Sequence, residues 1–250
     1  MKTLIIGNWK ANPAHFKQAE ELFKNAKKVG SKLRNVEVAL AAPAVFLSGL
    51  KSYKAMLAAQ DVSTVGEGPH TGEVTSAMLR DIGVQYVIVG HSERRAAGET
   101  NEIVSIKIKN AWKAHLTPVV CVGEMERDAF GKFWNALREQ IESTFAGAQK
   151  SWLKDIIVAY EPVWALSTTA NRHDVTSAEV HEATIFIRKV LADMFGQKES
   201  MSVRIIYGGS VNSKNAEDIL KNGNVTGLLP GKASLNAKEF ARILTIANTK

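Results

Sequence analysis

Residues 118–141 read PVVCVGEMERDAFGKFWNALREQI. The run Pro118–Val122 is continuous, apolar and rich in valine, which is typical of a strand that is buried on both faces. The apolar residues that follow it recur at the spacing i, i+3, i+4, i+7 and i+11, which places them on one face of a helix. These residues are Phe130, Phe133, Trp134, Leu137 and Ile141. The stretch therefore predicts a buried strand followed by an amphipathic helix.

The same alternation recurs along the whole chain. Eight short apolar runs rich in Val and Ile predict strands, and stretches with helical spacing follow them with varying clarity. The eight runs are Leu4–Gly7, Val36–Ala42, Met56–Ala59, Tyr86–Val89, Pro118–Val122, Ile156–Tyr160, Val203–Tyr207 and Gly227–Leu229. Strict alternation of strands and helices predicts a parallel sheet.

Two helices also carry capping signals at their first turns. Thr176 and Glu179 form a capping-box pattern, which predicts a helix that begins there and stops at Gly196. Asn236 and Glu239 precede another apolar helical pattern, and we expect them to cap its first turn.

Eight strand–helix units in about 250 residues match the size of a (β/α)8 barrel. The alternative is a doubly wound open sheet, which usually has a glycine-rich turn after its first strand. Gly7-Asn8-Trp9-Lys10 is not such a turn, and no change of composition marks a linker. We therefore predict an α/β fold, a (β/α)8 barrel in a single domain that comprises residues 1–250.

The composition excludes several classes of protein. Of the 250 residues, 45% are hydrophobic and 23% are charged, which is ordinary for a globular protein and unlike a disordered chain. No apolar run reaches the roughly 18 residues of a membrane span, and the first residues do not resemble a secretion signal. The single cysteine, Cys121, cannot form an internal disulfide. We expect a cytoplasmic protein that does not associate with membranes.

The formal net charge of +7 raises the question of nucleic-acid binding. Apart from a cluster in residues 17–28, the lysines are scattered, and no basic patch with interleaved aromatic residues accompanies them. Solvated helix faces explain the charge better, so we expect no nucleic-acid partner. A mildly positive surface would attract a small anionic substrate.

Polar residues that could take part in catalysis follow three of the predicted strands. Lys10 follows the first strand, His91 the fourth and Glu161 the sixth. Taken singly, each is more often a solvated or ion-paired structural residue. The loops after the strands of a (β/α)8 barrel converge at one end, however, so the three side chains would share a small volume. Together they indicate proton transfer.

The last two loops of the predicted barrel are rich in glycine. They read Gly208-Gly209-Ser210-Val211 and Pro230-Gly231-Lys232-Ala233-Ser234. Such loops expose main-chain N–H groups, and the helices that follow add their dipoles, so we expect a phosphate to bind there. With the three polar residues, this predicts proton shuttling on a small phosphorylated carbonyl compound.

Other chemistries fit less well. No His-x-His pattern provides metal ligands, the segment 208–212 lacks the final glycine of a nucleophile elbow, and residues 227–232 do not match a P-loop. Cys121 lies in a predicted strand and is expected in the core. The other histidines are expected to be structural or solvated: His15, His70, His115, His173 and His181.

Six motifs, in order along the whole chain, resemble those of the triosephosphate isomerase family. They are Asn8-Trp9-Lys10, Thr71-Gly72-Glu73, Gly90-His91-Ser92-Glu93-Arg94-Arg95, Cys121-Val122-Gly123-Glu124, the segment from Ala159 to Ala165, and Tyr207-Gly208-Gly209-Ser210-Val211. The resemblance implies the TIM-barrel fold and an aldose–ketose isomerase of glycolysis and gluconeogenesis. Such an enzyme interconverts dihydroxyacetone phosphate and glyceraldehyde 3-phosphate through an enediolate, with no cofactor or metal.

The resemblance also implies a role for each catalytic residue. Glu161 would be the base that moves a proton between the two carbons. His91, neutral at a helix start, would polarise the carbonyl and shuttle the oxygen proton; this family is itself the standard example of such a neutral imidazole. Lys10 would balance the negative charge of the substrate, and Asn8 would hydrogen-bond a substrate oxygen.

Supporting roles follow from the same resemblance. Ser92 would hold Glu161 in its resting position, Glu93 would pair with Lys10, and Pro162–Arg172 would be a lid over the intermediate. The loop Asp61–Gly72 resembles an arm that inserts Thr71 into a partner's active site, which implies a homodimer. The substrate-binding residues would be Asn8, Lys10, Ser167, Gly209, Ser210, Gly231 and Lys232.

The chain departs from the family pattern mainly where phosphate is bound. Family lids usually read Ala-Ile-Gly-Thr-Gly-Lys, whereas residues 165–170 read Ala-Leu-Ser-Thr-Thr-Ala, so Ser167 replaces one glycine and Thr169 the other. Lys232 also replaces a glycine, and predicts either backbone strain, if φ there is positive, or an added cation near the phosphate. Pro69-His70 replaces the customary small–aromatic pair in the arm, and the loop after Arg95 is one residue shorter than usual.

These departures predict an isomerase with a raised KM or a reduced kcat, and they leave two alternatives. One is a barrel isomerase that acts on another small phosphorylated carbonyl compound. The other is a weakened or non-catalytic paralogue. Against it, desolvated charges at one site cost free energy, so stability alone gives no reason to retain Lys10, His91 and Glu161 there. A Schiff-base aldolase is less favoured, because Lys10 is better used as a cation paired with Glu93.

Overall fold

The computed structural model describes residues 1–51, 56–128, 130–166 and 174–249. The strands in these residues are β1 (Thr3–Asn8), β2 (Val36–Ala42), β3 (Met56–Ala59), β4 (Val84–Val89), β5 (Thr117–Val122), β6 (Ile157–Tyr160), β7 (Arg204–Tyr207) and β8 (Gly227–Leu228). They form a closed, parallel barrel in chain order. The prediction of a (β/α)8 barrel is confirmed.

Helices connect the strands and surround the barrel. They are α1 (Phe16–Gly30), α2 (Ala44–Leu50), α3 (Ser76–Asp81), α4 (Ser92–Ala96), α5 (Asn101–Lys113), α6 (Phe133–Phe145), α7 (Ser177–Phe195), α8 (Gln197–Ser202), α9 (Ala216–Asn222) and α10 (Ala237–Ala247). Short 3-10 turns lie at Lys150–Asp155, Val163–Ala165 and Lys232–Leu235. Among the described residues, no helix is both long and apolar enough to cross a bilayer.

Two layers of apolar residues hold the barrel together. Alternate strand residues, such as Ile6, Ile88 and Val119, fill the interior of the barrel, as the period of two in a strand requires. The residues between them, such as Ile5 and Val120, pack outward against the helices. Cys121 belongs to the interior layer and is 1% exposed, so its assignment to the core is confirmed.

The barrel closes where β1 meets β8. Leu4 pairs with Gly227 and Ile5 with Leu228, and on its other side β8 pairs with β7 through Tyr207 and Leu228. By comparison, β1 and β2 pair along six residues. The pairings that β8 makes on its two sides are therefore the shortest in the barrel.

One predicted helix begins later than its apolar spacing suggests. Phe130 was expected on the buried face, but α6 begins at Phe133, and Phe130 is 86% exposed. The Asp128 carboxylate accepts hydrogen bonds from the main-chain N–H groups of Phe130, Lys132 and Phe133. These bonds satisfy the free N–H groups at the helix start, so the helix begins after Phe130.

Of the two capping predictions, one is confirmed and the other is half wrong. Thr176 and Glu179 form the expected capping box, and α7 ends before Gly196. The Asn236 side chain caps α10 by accepting from the N–H groups of the next turn. Glu239 does not cap this turn, because its carboxylate binds Ser213 in the loop between β7 and α9.

Candidate active site

A cavity of about 580 Å³ opens at the carboxyl ends of the strands. Residues from the loops after β1, β4, β6, β7 and β8 line it, as expected where the loops of a barrel converge. The predicted site residues among them are Asn8, Lys10, His91, Glu161, Gly209, Ser210, Gly231 and Lys232. Ser167 and the other residues of the expected lid up to residue 172 lie outside the described residues, whereas residues 162–166 are described.

Lys10 reaches the cavity from a strained main chain. Its φ is +53°, a left-handed conformation that is uncommon for a residue with a side chain. Its N–H donates to Asn8 Oδ1 at 3.0 Å, and its carbonyl accepts from Gln60 Nε2 at 2.8 Å. The Lys10 ammonium pairs with Glu93 Oε1 at 2.5 Å. Gln60 thus holds the loop that places Lys10, a role that the sequence analysis missed.

His91 lies immediately before α4 and acts as its cap. Its Nδ1 accepts a hydrogen bond from the N–H of Glu93 at 3.2 Å. A ring nitrogen that accepts in this way carries no proton, so the other nitrogen, Nε2, carries it and the ring is neutral. Nε2 lies 3.0 Å from Glu161 Oε1. His91 therefore presents an N–H donor to the cavity.

Glu161 is 3% exposed and has a partner for each carboxylate oxygen. Oε1 faces His91, and Oε2 accepts from the main-chain N–H of Ser92 at 3.0 Å. Ser92 was expected to hold Glu161, and the contact runs through its main chain. Within the described part of the chain, the buried Ser92 hydroxyl has no hydrogen-bond partner.

Gly123 lets the main chain of Glu161 approach the loop after β5. A Cβ at Gly123 would lie 2.0 Å from the Glu161 carbonyl oxygen, far inside van der Waals contact. Gln140 of α6 fixes this glycine, because its Oε1 accepts the Gly123 N–H at 2.8 Å. The position of Glu161 therefore depends on a residue without a side chain in a neighbouring loop.

The two glycine-rich loops lie beside this group. Gly209 has no room for a side chain, because a Cβ there would lie within 2.2 Å of the Tyr207 hydroxyl. Lys232 is exposed at the mouth of the cavity, and it is not among the residues with positive φ. Of the two alternatives for Lys232, left-handed strain is therefore excluded, and the residue begins the 3-10 turn Lys232–Leu235.

A second buried cluster, which the sequence analysis did not identify, lies behind Glu161. The Glu124 Oε1 accepts hydrogen bonds from Tyr160 Oη at 2.8 Å, Trp164 Nε1 at 2.9 Å and Arg127 Nε at 3.0 Å. Burial, together with the Glu124 charge, holds the pKa of Tyr160 well above its usual value, so Tyr160 stays a neutral donor. The motif Cys121-Val122-Gly123-Glu124, which ends in this glutamate, was the sequence signal that could have indicated the cluster.

The remaining histidines lie away from this group. His15, His70 and His115 are exposed, and His181 Nδ1 contacts the Asn222 carbonyl, whereas His173 lies outside the described residues. No three His, Cys, Asp or Glu side chains converge as a metal site within residues 1–51, 56–128, 130–166 and 174–249.

Comparison with known proteins agrees with this geometry. The family model for triosephosphate isomerase matches residues 3–247. The triosephosphate isomerase of Geobacter metallireducens is 40% identical over 98% of this chain and 98% of its own. Those of Alkaliphilus oremlandii and Fusobacterium nucleatum are 38% and 37% identical, over 97% and 99% of this chain and 98% and 100% of theirs.

The chain belongs to the triosephosphate isomerase family.

The arm expected of a triosephosphate isomerase, residues 61–72, lies beside the site. Asp61 at its base pairs with Lys107 at 2.6 Å and with Arg94 at 2.7 Å. A second cavity of about 570 Å³ adjoins it and shares Asn8, Lys10 and His91 with the first. A segment bound in this second cavity would therefore contact the residues that position the active site.

Proposed function

We propose that Glu161 is the base and His91 the acid in the interconversion of dihydroxyacetone phosphate and glyceraldehyde 3-phosphate, the reaction of this isomerase. The observation that carries the assignment is the 3.0 Å approach of His91 Nε2 to Glu161 Oε1 in a cavity that Lys10 also lines. A carboxylate, a neutral N–H donor and an ammonium are the groups that enolisation of a phosphorylated carbonyl compound requires.

The carboxylate of Glu161 takes the proton from one substrate carbon and returns it to the next. To do so, it exchanges its contacts with His91 and Ser92 for the substrate. His91 donates its Nε2 proton to the oxygen of the polarised carbonyl and takes a proton back from the neighbouring hydroxyl, and Lys10 stabilises the negative charge of the enediolate. Asn8 also lines the cavity, and its Oδ1 orients Lys10 by accepting the main-chain N–H of Lys10.

The phosphate binds at the loops after β7 and β8. Gly209, Ser210 and Gly231 provide main-chain N–H groups at the cavity, and Lys232 adds a cation. Ser167, the remaining residue expected to bind phosphate, lies outside the described residues. The altered lid leaves the proton-transfer residues unchanged, so we expect its cost in KM or kcat.

Glu161→Gln tests the proposal, because it removes the base with almost no change in shape. We expect kcat in a coupled assay to fall by about a thousandfold, within the range for a general base. Glu182→Gln, which changes an exposed glutamate on α7, is the matched control and should behave as wild type. Equal turnover by wild type and Glu161→Gln would contradict the assignment. So would a wild type that exchanges protons with other phosphorylated carbonyl compounds but not with these two triose phosphates.

The assembly and location are also part of the proposal. The second cavity has the position to receive the arm of another copy, which supports a homodimer formed through residues 61–72. Cys121, the only cysteine in the sequence, is buried and free, as suits the reducing cytoplasm where glycolysis takes place.

A further inference from the structure

We propose that Glu239 is a positioning residue that joins the two phosphate-binding loops and so sets the affinity for phosphate. The inference rests on the proposed function, since it concerns the phosphate group of the same substrate. Glu239 lies in the first turn of α10, shortly after the loop that follows β8, and it lines the active-site cavity.

The Glu239 carboxylate reaches across to the other loop. Its Oε1 accepts the main-chain N–H of Ser213 at 2.6 Å, and its Oε2 accepts the Ser213 hydroxyl at 3.1 Å. Ser213 lies in the loop between β7 and α9, three residues after Ser210. A bidentate carboxylate on α10 therefore fixes the loop after β7 to the helix after β8.

Two asparagines carry this restraint from Ser213 to Ser210. Asn215 Nδ2 donates to the Ser210 carbonyl at 2.8 Å, and its Oδ1 accepts the N–H of Asn212 at 2.9 Å. Asn212 Oδ1 accepts the N–H of Lys214 at 2.8 Å, next to Ser213. The main chain that presents Ser210 to the cavity is thus held at both ends of the segment.

The charge of Glu239 acts in the opposite direction. A carboxylate that lines the cavity repels a phosphate dianion, and the hydrogen bond from the Ser213 N–H lowers the pKa of Glu239, which keeps it ionised. Arg242 approaches Oε2 only to 3.8 Å. Loss of the charge therefore strengthens phosphate binding, whereas loss of the hydrogen bonds weakens it, so the two effects have opposite signs.

Two substitutions of Glu239 separate these effects. Glu239→Gln removes the charge but can still accept from the Ser213 N–H and donate to its hydroxyl, whereas Glu239→Ala removes both. We expect Glu239→Ala to raise KM for glyceraldehyde 3-phosphate, and Ki for inorganic phosphate, by about tenfold, as loss of bonds to a charged group does. We expect Glu239→Gln to stay within about twofold of wild type.

Further measurements distinguish positioning from general damage. Turnover of glyceraldehyde, which lacks the phosphate, should not change in Glu239→Ala, and Glu182→Ala is the matched control on an exposed helix face. Ser213→Ala removes only the hydroxyl bond, so we expect a KM raised by about twofold with kcat unchanged. It also provides the test if Glu239→Ala does not fold.

Several results would overturn the proposal. Tighter phosphate binding in both Glu239 variants would show that charge dominates, and an equal loss with glyceraldehyde would show general damage. Calorimetric titration of the protein with inorganic phosphate measures phosphate binding directly, even if the wild type has no isomerase activity. In that case the proposed function fails, while this inference fails if Glu239→Ala binds phosphate as tightly as wild type or more tightly, or if neither binds it.

Discussion

Gly123 and Glu161 are in contact through their main chains, and this contact is possible only because residue 123 has no side chain. An added methyl group would lie 2.0 Å from the carbonyl oxygen and 2.5 Å from the carbonyl carbon of Glu161. Both are main-chain atoms of the residue that follows β6, so neither can rotate aside. The loop after β5 therefore determines where the carboxylate lies.

Gly123→Ala should damage both stability and activity. We expect a loss of about 1–3 kcal/mol in the free energy of unfolding, typical of overpacking, and a fall in kcat of about a hundredfold, because Glu161 moves. Urea unfolding and steady-state kinetics measure the two effects. In the control Gly147→Ala, the added methyl group meets only the Ser105 hydroxyl at 3.1 Å, which can rotate away. Unchanged kcat in a folded Gly123→Ala would contradict the expectation.

The polar side chains of the site were predictable, but their main-chain partners were not. Lys10, His91 and Glu161 each follow a strand, and a parallel barrel brings such residues together. The contact from the Ser92 N–H to Glu161, by contrast, depends on the exact turn that begins α4. Sequence motifs identify side chains, and they do not show which N–H groups the main chain exposes.

At the scale of the elements, the strands were predicted well and the helix starts less well. Val36–Ala42 and Met56–Ala59 match the observed strands at both ends, and the other predicted runs differ by one or two residues. Buried strands are marked by continuous apolar runs. The start of α6 depends instead on the Asp128 carboxylate, and Glu239 binds a distant loop in preference to its own helix. Such tertiary contacts leave no periodic signal.

Three strands are joined by polar side chains at the end of the barrel opposite the cavity. The Tyr86 hydroxyl of β4 donates to Glu37 of β2, and Arg204 of β7 also binds Glu37, at 3.1 Å. Burial, and then the hydrogen bond to Glu37, raise the pKa of Tyr86 well above its usual value. A raised pKa in the folded state means that this contribution to stability is complete below the unfolded pKa, near 10, and is lost as pH rises above it.

Tyr86→Phe should therefore lower the stability of the protein more at pH 8 than at high pH. We expect it to lower the free energy of unfolding by about 1–3 kcal/mol at pH 8, because Glu37 loses a buried donor. Above about pH 10 the difference from wild type should narrow, since Tyr86 ionises in the unfolded wild-type chain. Urea unfolding at pH 8 and pH 10.5 measures this. A difference that stays constant or widens over this range would refute the explanation.

At the scale of the whole molecule, we expect the proposed dimer to complete the active site. The second cavity contains residues that hold Lys10 and His91 in place, and residues 61–72 extend beside it. We expect wild type to sediment at about twice its monomer mass of 27.3 kDa. Replacing residues 65–70 with Gly-Gly should give a folded monomer with activity reduced at least about tenfold, because the site residues are no longer held. A fully active wild-type monomer would contradict the dimer.

The short seam between β1 and β8 has a consequence for synthesis in the cell. The partner of β1 on one side, β2, is made early in synthesis, but the other edge of β1 pairs only with Leu228 and Gly227. At 5–20 residues per second, translation takes roughly 10–45 s to supply that partner. During this interval the nascent chain carries an open sheet edge, which is a template for aggregation. That edge of β1 stays open until Gly227 and Leu228 have been made.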